Sequence, residues 1–349
     1  MYPLAAAYPE SVTIPVSRAV EMIGALKLHE LGFTGKGIKV AVLDTGADLD
    51  HPMIKPNIMK AESMVEGESP TDAHSHGTWC ASAIAGIPTS TPQGTLMGVA
   101  PEAKLIILKV LSDKGSGTMQ TVVAGMERAV ELGADIVSMS LGSLFGTNLS
   151  PDSRTLNELA SRNGVLFVTA GGNSFSPLSI GSPCAAALSI GVGAVAMQIP
   201  SNGAPSTYSS KGPTLDGIPK PNISTYGGNV LSPGVAELLL AAGKRGSYIG
   251  MAGTSMATPI VSGALALLLS AGVPRNRSLM EELFARTGGQ PLNTITGWGL
   301  LDVMKLYEAA AAGVMPLLSV LGNVPYALAQ PLYQLIPKPK PETIRLQIV

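Results

Sequence analysis

Charge is scarce in this chain of 349 residues, and the two signs nearly cancel. Charged residues make up 13% of the sequence, with 23 Lys and Arg against 24 Asp and Glu, so the formal net charge is −1. Nucleic acids and acidic lipid surfaces attract proteins through clustered positive charge, which this composition lacks. We therefore expect no nucleic-acid partner.

Cysteines are few, and no membrane-spanning run is evident. Cys80 and Cys184 are too few for a disulfide framework and have no metal-ligand spacing. Residues 309–337 carry no charge, but Pro316, Pro325 and Pro331 interrupt that segment, so we do not expect it to anchor the chain in a membrane. The first seven residues lack a basic segment followed by an apolar one, so no signal peptide is visible.

Apolar residues, glycine and proline are abundant, which indicates a large folded domain with many tight loops. Hydrophobic residues make up 46% of the chain, with 40 glycines and 27 prolines. We predict a single domain over residues 1–312, with its core at about 33–302. Residues 313–349 are predicted to be a C-terminal extension or linker, because the sequence from Pro337 to Pro341 reads as an extended spacer. The strand-like alternation of residues 343–348 suggests that the linker leads into a further, truncated domain.

Short apolar strands alternate with helical patterns along the chain. This alternation predicts an α/β fold, a three-layer, doubly wound and mostly parallel sheet with helices on both faces. The predicted strands are Ile38–Leu43, Leu105–Val110, Ile136–Met139, Val165–Thr169 and Leu188–Val192. The predicted helices are His76–Ala85, Met119–Glu131, Asp152–Arg162, Ser255–Ser270, Ser278–Thr287 and Asp302–Ala312.

Three short segments supply an acid, a base and a nucleophile. Asp44 ends the first predicted strand, while His76 and Ser255 begin two apolar helices. A serine hydroxyl is a weak nucleophile unless a base lies within hydrogen-bond reach and a carboxylate orients that base. Of the known chain orders for such a triad, the order Asp, His, Ser belongs to the subtilisin type.

These segments, Val42–Gly46, His76–Thr78 and Gly253–Pro259, resemble those of subtilisin-like serine proteases, the subtilase family. The similarity runs from about Gly35 to about Asp302. It implies a serine endopeptidase that forms an acyl-enzyme intermediate on Ser255, with Asn173 as the oxyanion-hole residue. It also implies an extracellular or cell-surface protein. Many secreted relatives have a propeptide, so a propeptide is a further partner that the resemblance implies. Since no signal peptide is visible, an intracellular location stays open.

The resemblance also places an extended peptide or protein substrate. It implies broad specificity, and Gly181 would leave a roomy, uncharged pocket that favours an apolar residue before the scissile bond. The substrate-binding residues implied by the resemblance are Ser140, Leu141, Gly142, Gly115, Gly117, Ala170, Gly171, Gly172 and Gly181.

No catalytic cofactor and no metal ligand is predicted. Many relatives have a calcium-binding aspartate directly after the position of Pro52, where this chain has Met53, and residues 87–96 replace the usual calcium loop. The usual site is therefore expected to be absent, although the resemblance leaves a structural calcium ion open. The stretch from Asn222 to Gly228 also departs from the family pattern, which leaves the geometry of that loop open.

Three alternatives to the protease stay open. His74 and His76 could form a metal pair with Asp50 or His51, although no further ligand has a convincing spacing. An esterase of the α/β-hydrolase type is disfavoured because no Gly-x-Ser-x-Gly segment is present. A third alternative is a catalytically inactive protease fold kept for peptide recognition.

Overall fold

The computed structural model describes residues 11–198, 200–232 and 234–313. The strands found there are β1 (Val12–Pro15), β2 (Lys39–Asp44), β3 (Ile58–Ser63), β4 (Thr89–Thr91), β5 (Gly94–Leu96), β6 (Lys104–Lys109), β7 (Ile136–Met139), β8 (Leu166–Ala170), β9 (Ile190–Val195), β10 (Ile223–Tyr226), β11 (Asn229–Ser232), β12 (Val235–Ala242) and β13 (Tyr248–Met251). The helices are α1 (Val16–Met22), α2 (Ala25–Glu30), α3 (His76–Ala85), α4 (Met119–Glu131), α5 (Pro151–Asn163), α6 (Thr254–Ser270), α7 (Arg277–Thr287) and α8 (Val303–Gly313).

Seven parallel strands form the central sheet in the order β10-β9-β8-β7-β2-β6-β3. Strand β2 lies between β6 and β7, and Asp44 at its carboxyl end is in register with Lys109. In sheets of this kind, ligand sites lie beyond the carboxyl ends of the strands. The topology therefore directs attention to the edge at which Asp44 ends β2.

The sheet separates two apolar cores, which confirms the three-layer prediction. Val40 and Val42 of β2 face one core, while Ala41 and Leu43 face the other, as the two-residue period of a strand requires. Helices α3, α6, α7 and α8 contribute to the first core, and α4 and α5 cover the opposite face. No helix within the described ranges is both long enough and apolar enough to span a bilayer.

A second, smaller sheet is a feature that the sequence pattern does not predict. Strand β12 pairs in parallel with β1 and antiparallel with β11 and β13. Strands β4 and β5 form a separate hairpin within the segment that replaces the usual calcium loop. The stretch after Lys220, which departs from the family pattern, continues the central sheet as β10. The strand-like pattern predicted for residues 343–348 and the spacer before it lie outside the described residues.

A buried lysine, Lys220, lies just before the stretch from Asn222 to Gly228 that departs from the family pattern. The Lys220 side chain is fully buried, and its Nζ donates to Ser189 O at 2.8 Å, to Ser189 Oγ at 2.9 Å and to Asn222 Oδ1 at 2.9 Å. The pKa of Lys220 is lowered to about 7, mainly by burial, with Cys184 and Glu281 opposing the shift and the nearby Arg277 adding to it. The cationic form is therefore costly in the folded state.

The Lys220→Met variant should remove a pH dependence of stability. An unfolded lysine has a pKa near 10.4, so between pH 7 and about 10 the unfolded chain binds more protons than the folded one. The contribution of Lys220 should therefore increase the free energy of unfolding of the parent as the pH rises through this window. We expect the stability difference between Lys220→Met and the parent to move in favour of the parent from pH 7 to pH 10.

Denaturant unfolding of the parent and of Lys220→Met at several pH values measures this difference. Lys36→Met, a change at an exposed lysine, is the matched control. A difference between parent and Lys220→Met that stays constant over the window would contradict the prediction.

Candidate active site

Asp44 and His76 form the orienting pair of the site. Asp44 is buried at the end of β2, and its Oδ1 lies 2.7 Å from Nδ1 of His76. The backbone N–H of Thr45 donates to the same oxygen at 2.7 Å. A carboxylate fixed in this way holds Nδ1 protonated and leaves Nε2 as the proton acceptor.

The turn before His76 is held by a residue that the sequence analysis missed. Asp72 is buried, and it accepts hydrogen bonds from the backbone N–H groups of His74, Ser75 and Thr78 at 2.8, 3.0 and 2.9 Å. The hydroxyl of Thr45 also donates to it at 2.9 Å. Asp72 therefore ties the start of α3 to the end of β2. In the sequence, the one sign of this role was the position of Asp72, four residues before His76, the proposed base.

The pKa of His76 is governed by two opposing effects. Burial disfavours the imidazolium, but the negative charge of Asp44 and its hydrogen bond hold the pKa of His76 well above its ordinary value. The charge of Asp44 therefore makes His76 more basic than burial alone would allow.

Cys80 lies directly below His76 on α3. Its Sγ is 4.0 Å from His76 Nδ1 and 3.6 Å from the carbonyl oxygen of Ser255. Burial raises the pKa of the Cys80 thiol, and the Asp44 charge raises it further. The sulfur is thus held as a neutral thiol, which makes it a poor competitor for the role of nucleophile.

Ser255 lies in the first turn of α6, next to the cleft, and is less buried than its neighbours. Its hydroxyl donates to the carbonyl oxygen of Ser140 at 3.2 Å, while the hydroxyl of Ser140 donates to the carbonyl oxygen of Ser255 at 2.9 Å. Within the described residues this reciprocal pair, and not a bond to His76, holds the Ser255 side chain. Rotation about the Cα–Cβ bond of Ser255 would be needed to bring its Oγ to His76.

Pro259 explains why the Ser255 carbonyl is available. In a regular helix the N–H of residue 259 would donate to the carbonyl of residue 255, but proline has no N–H. The freed oxygen instead accepts from Ser140 and lies near Cys80. Because of the proline, the backbone carbonyl of Ser255 can contact both Ser140 and Cys80.

The amide of Asn173 is oriented by hydrogen bonds from Thr254. Its Oδ1 accepts from the N–H of Thr254 at 3.0 Å and from the Thr254 hydroxyl at 2.9 Å. The carbonyl end of the amide is thus occupied, and its NH₂ end is available to a substrate. The N–H of Ser255, in the first turn of α6, is one of the groups that a helix start leaves without an intrahelical partner.

Asn173→Ala should lower kcat by about 10²–10³ with little change in KM, because the amide bonds mainly to charge that develops in the transition state; the magnitude is the one known for subtilisin. Steady-state kinetics on a peptide substrate measures both constants. Asn163→Ala, near the end of α5 and away from the cleft, is the control. An unchanged kcat in Asn173→Ala would mean that another donor binds the oxyanion.

Two cavities flank the catalytic pair. A cavity of about 750 Å³ is lined by five of the residues predicted to bind substrate, together with His76 and others: Gly115, Gly117, Ser140, Leu141 and Gly142. A second cavity, of about 420 Å³, is lined by His76, Asn173, Ser255 and Met256 among others. His76 therefore lies where the two cavities meet. An extended peptide bound along the cleft would pass through both of them.

Four predicted substrate residues are not among those that line the two cavities: Ala170, Gly171, Gly172 and Gly181. Gly172 has φ of 111°, and its N–H donates to the Thr254 hydroxyl, so it supports the oxyanion segment. The expectation that Gly181 leaves a roomy pocket is wrong. A Cβ at Gly181 would lie 1.9 Å from the carbonyl oxygen of Ser143, so this glycine is required by close backbone packing.

The alternative histidine metal site is not assembled. The rings of His74 and His76 lie 6.2 Å apart, while His51 is engaged with the backbone of Ser247 and Met53. Asp50 pairs with Lys55 at 2.8 Å. Among residues 11–198, 200–232 and 234–313, the one group of three metal-ligating side chains is Asp44, His76 and Cys80.

The geometry thus defines a carboxylate-oriented histidine beside a helix-start serine, in a three-layer α/β fold. Comparison with known proteins identifies the family. Residues 35–299 match the model of the subtilase family. The chain belongs to that family.

Three relatives from Bacillus subtilis are similar to it. Subtilisin E is 36% identical over 269 residues, covering 75% of this chain and 62% of the relative. The minor extracellular protease Vpr is 38% identical over 216 residues, covering 58% of this chain and 25% of the relative. The major intracellular serine protease is 34% identical over 279 residues, covering 76% of each. This chain thus spans less than two thirds of the length of subtilisin E.

Proposed function

We propose that this protein is a serine endopeptidase that cleaves peptide bonds through Asp44, His76 and Ser255. The observation that carries the proposal is the 2.7 Å contact between Asp44 and His76 beside a helix-start serine and an oriented amide. The names of the relatives, which include subtilisin and an intracellular serine protease, support the same reaction.

The reaction follows from the roles of the side chains. Ser255 Oγ attacks the peptide carbonyl carbon as His76 Nε2 takes the hydroxyl proton, and Asp44 stabilises the imidazolium. Asn173 and the Ser255 N–H bind the developing oxyanion. His76 then gives its proton to the leaving amine, and a water molecule, deprotonated by His76, releases the acyl group from Ser255. This sequence requires no catalytic cofactor.

The substrate is proposed to be a peptide or protein segment bound as an extended strand beside residues 140–142 and 115–117. Leu141, the apolar residue next to Ser140, supports a preference for an apolar side chain directly before the scissile bond. We further propose that the usual calcium site is lacking. Met53 is fully buried against Leu96, Leu240 and Ala242, and its thioether offers no oxygen ligand. The compartment is left open, because the relatives' names include both extracellular and intracellular proteases.

A fluorophosphonate label followed by peptide mapping tests the proposal. We expect covalent modification of Ser255 together with loss of proteolysis, and no labelling of Ser255→Ala. Full labelling of Ser255→Ala, or cleavage that persists after Ser255 is modified, would refute the assignment. Profiling with a peptide library then tests the apolar preference, and a strict requirement for Arg or Lys directly before the scissile bond would contradict it.

The hydrogen bond from Ser255 to Ser140 favours one other candidate, a peptide-binding module without turnover. In such a protein Ser255 would stay bonded to the backbone when peptide is bound. A rapid burst of product equal to the enzyme concentration, measured with an active-site titrant, distinguishes the protease from the binding module.

A further inference from the structure

The larger cavity has an acidic group in a wall that is otherwise mostly apolar and small. Leu111, Met119, Val122 and Leu141 contribute apolar surface to this 750 Å³ cavity, and Asp152 and Ser182 belong to the same lining. Neither the catalytic mechanism nor the predicted substrate contacts use Asp152. A carboxylate beside apolar walls matches a long side chain with an aliphatic stem and a cationic end.

Asp152 is held at this wall by hydrogen bonds from its neighbours. It is only 7% exposed, and the Ser182 Oγ lies 2.5 Å from each of its two oxygens, which share the single hydroxyl hydrogen. The N–H of Ser153 donates to Oδ1 at 2.9 Å. The carboxylate also lies in the first turn of α5, where the helix dipole favours negative charge. No ion pair within the described ranges includes Asp152.

We propose that this part of the cavity binds a lysine or arginine side chain of the substrate, with Asp152 as the carboxylate that receives the cation. The inference rests on the proposed endopeptidase function and specifies its substrate class. Asp152 is thereby a specificity-determining residue, separate from the position directly before the scissile bond, which takes the apolar side chain.

The chain connectivity gives the position of this basic residue in the substrate. Ser140 contacts the nucleophile, while Ser143, three residues further on, is joined to Ser182, the partner of Asp152. An extended substrate advances about 3.3 Å per residue, so three of its residues span about 10 Å. A peptide that runs alongside residues 140–143 therefore presents its third or fourth residue before the scissile bond to Asp152.

Lys114 carries the opposite sign and lines the same cavity, but it does not cancel the acidic wall. Its side chain is exposed, and the histidines His74 and His76 line the cavity as well. Charges exposed to solvent are screened over about 8 Å at physiological ionic strength, whereas a buried carboxylate is screened much less. The attraction for a cation is therefore concentrated at Asp152.

Paired peptide substrates test the inference. Each peptide carries one apolar residue before the scissile bond and either lysine, arginine, norleucine or glutamate at the second to fifth position before it. For the wild type we expect kcat/KM to be at least about tenfold higher with lysine or arginine than with norleucine at the third or fourth position, as a charge-assisted hydrogen bond requires. Glutamate there should lower kcat/KM below the norleucine value.

Asp152→Asn should remove the preference while leaving the norleucine peptide almost unaffected. Asparagine keeps the size of the side chain and an oxygen that accepts from Ser182 and Ser153. Asp302→Asn is the matched control, because Asp302 accepts a backbone hydrogen bond from Lys305 at the start of α8, away from the cavity. Thermal unfolding of both variants shows whether a change in rate reflects a loss of fold.

Equal rates for lysine, norleucine and glutamate peptides in the wild type would overturn the inference, even if Asp152→Asn fails to fold. A basic preference that persists in folded Asp152→Asn would overturn it as well. The failure of the proposed function looks different, because none of the peptides, including the norleucine series, would then be cleaved.

Discussion

Ser255→Ala is expected to lower kcat by about 10⁶, while KM stays within a few-fold of the parent value. The magnitude is the one known for removing the triad serine of subtilisin. Alanine removes the attacking oxygen but keeps the backbone carbonyl that Ser140 contacts, so the cleft should keep its shape. Initial rates on a fluorogenic peptide measure the loss of kcat. Titration of the active sites of the parent gives the enzyme concentration by which its rate is divided.

Ser270→Ala provides the control for this change. Ser270 ends the same helix and its hydroxyl bonds to the carbonyl of Leu267, at the far end from the cleft. The control should retain the turnover of the parent. If Ser255→Ala kept more than a small fraction of the parent kcat, with contamination excluded by mass spectrometry, Ser255 would not be the nucleophile.

Asp44→Asn is expected to lower kcat by about 10⁴, the order known for the same change in another triad protease. An asparagine amide can donate to His76 Nδ1, which favours the tautomer with the proton on Nε2, so the ring loses its ability to accept from Ser255. The loss of the Asp44 charge should also lower the pKa of His76. The acidic limb of the kcat/KM profile should therefore move to lower pH, beneath a much lower plateau.

A pH-rate profile of both proteins separates the two effects. Asp50→Asn, which removes an exposed carboxylate paired with Lys55, should leave the profile unchanged and serves as the control. An acidic limb that stays in place in Asp44→Asn would show that the Asp44 charge does not set the pKa of His76. Comparable turnover in parent and variant would remove Asp44 from the catalytic group.

The elements that the sequence predicted well are those with a clear hydrophobic period. Met119–Glu131 has the predicted bounds because it shows a regular apolar repeat and ends near Gly133, and Ile136–Met139 has them because it is a short, mostly apolar run. Strand β12 was missed because its pairing with β1 depends on a segment far away in the chain, near its start. Local patterns carry no information about such a partner.

The candidate site also has residues that the sequence identified and contacts that it missed. The chain order and the local sequence identified the three side chains, because each follows a strand or begins a helix. The role of Asp72 and the exchange of hydrogen bonds between Ser140 and Ser255 involve backbone atoms, which every residue has, so no residue pattern marks them. Gly181 was misjudged for a related reason. A glycine can mark open space or a close backbone neighbour, and the sequence does not distinguish the two.

The strand order of the central sheet has a consequence for the time that the chain takes to fold and unfold. Strand β2 pairs with β6 and β7, which come much later in the sequence, so its neighbours must be brought together over long loops. Parallel pairings of this kind form slowly because loop entropy is lost before the contacts are gained. The Asp44, His76 and Ser255 segments then meet only when the whole sheet has formed. A high barrier in the reverse direction would limit how often a protein-digesting enzyme opens enough to be cut by its own copies.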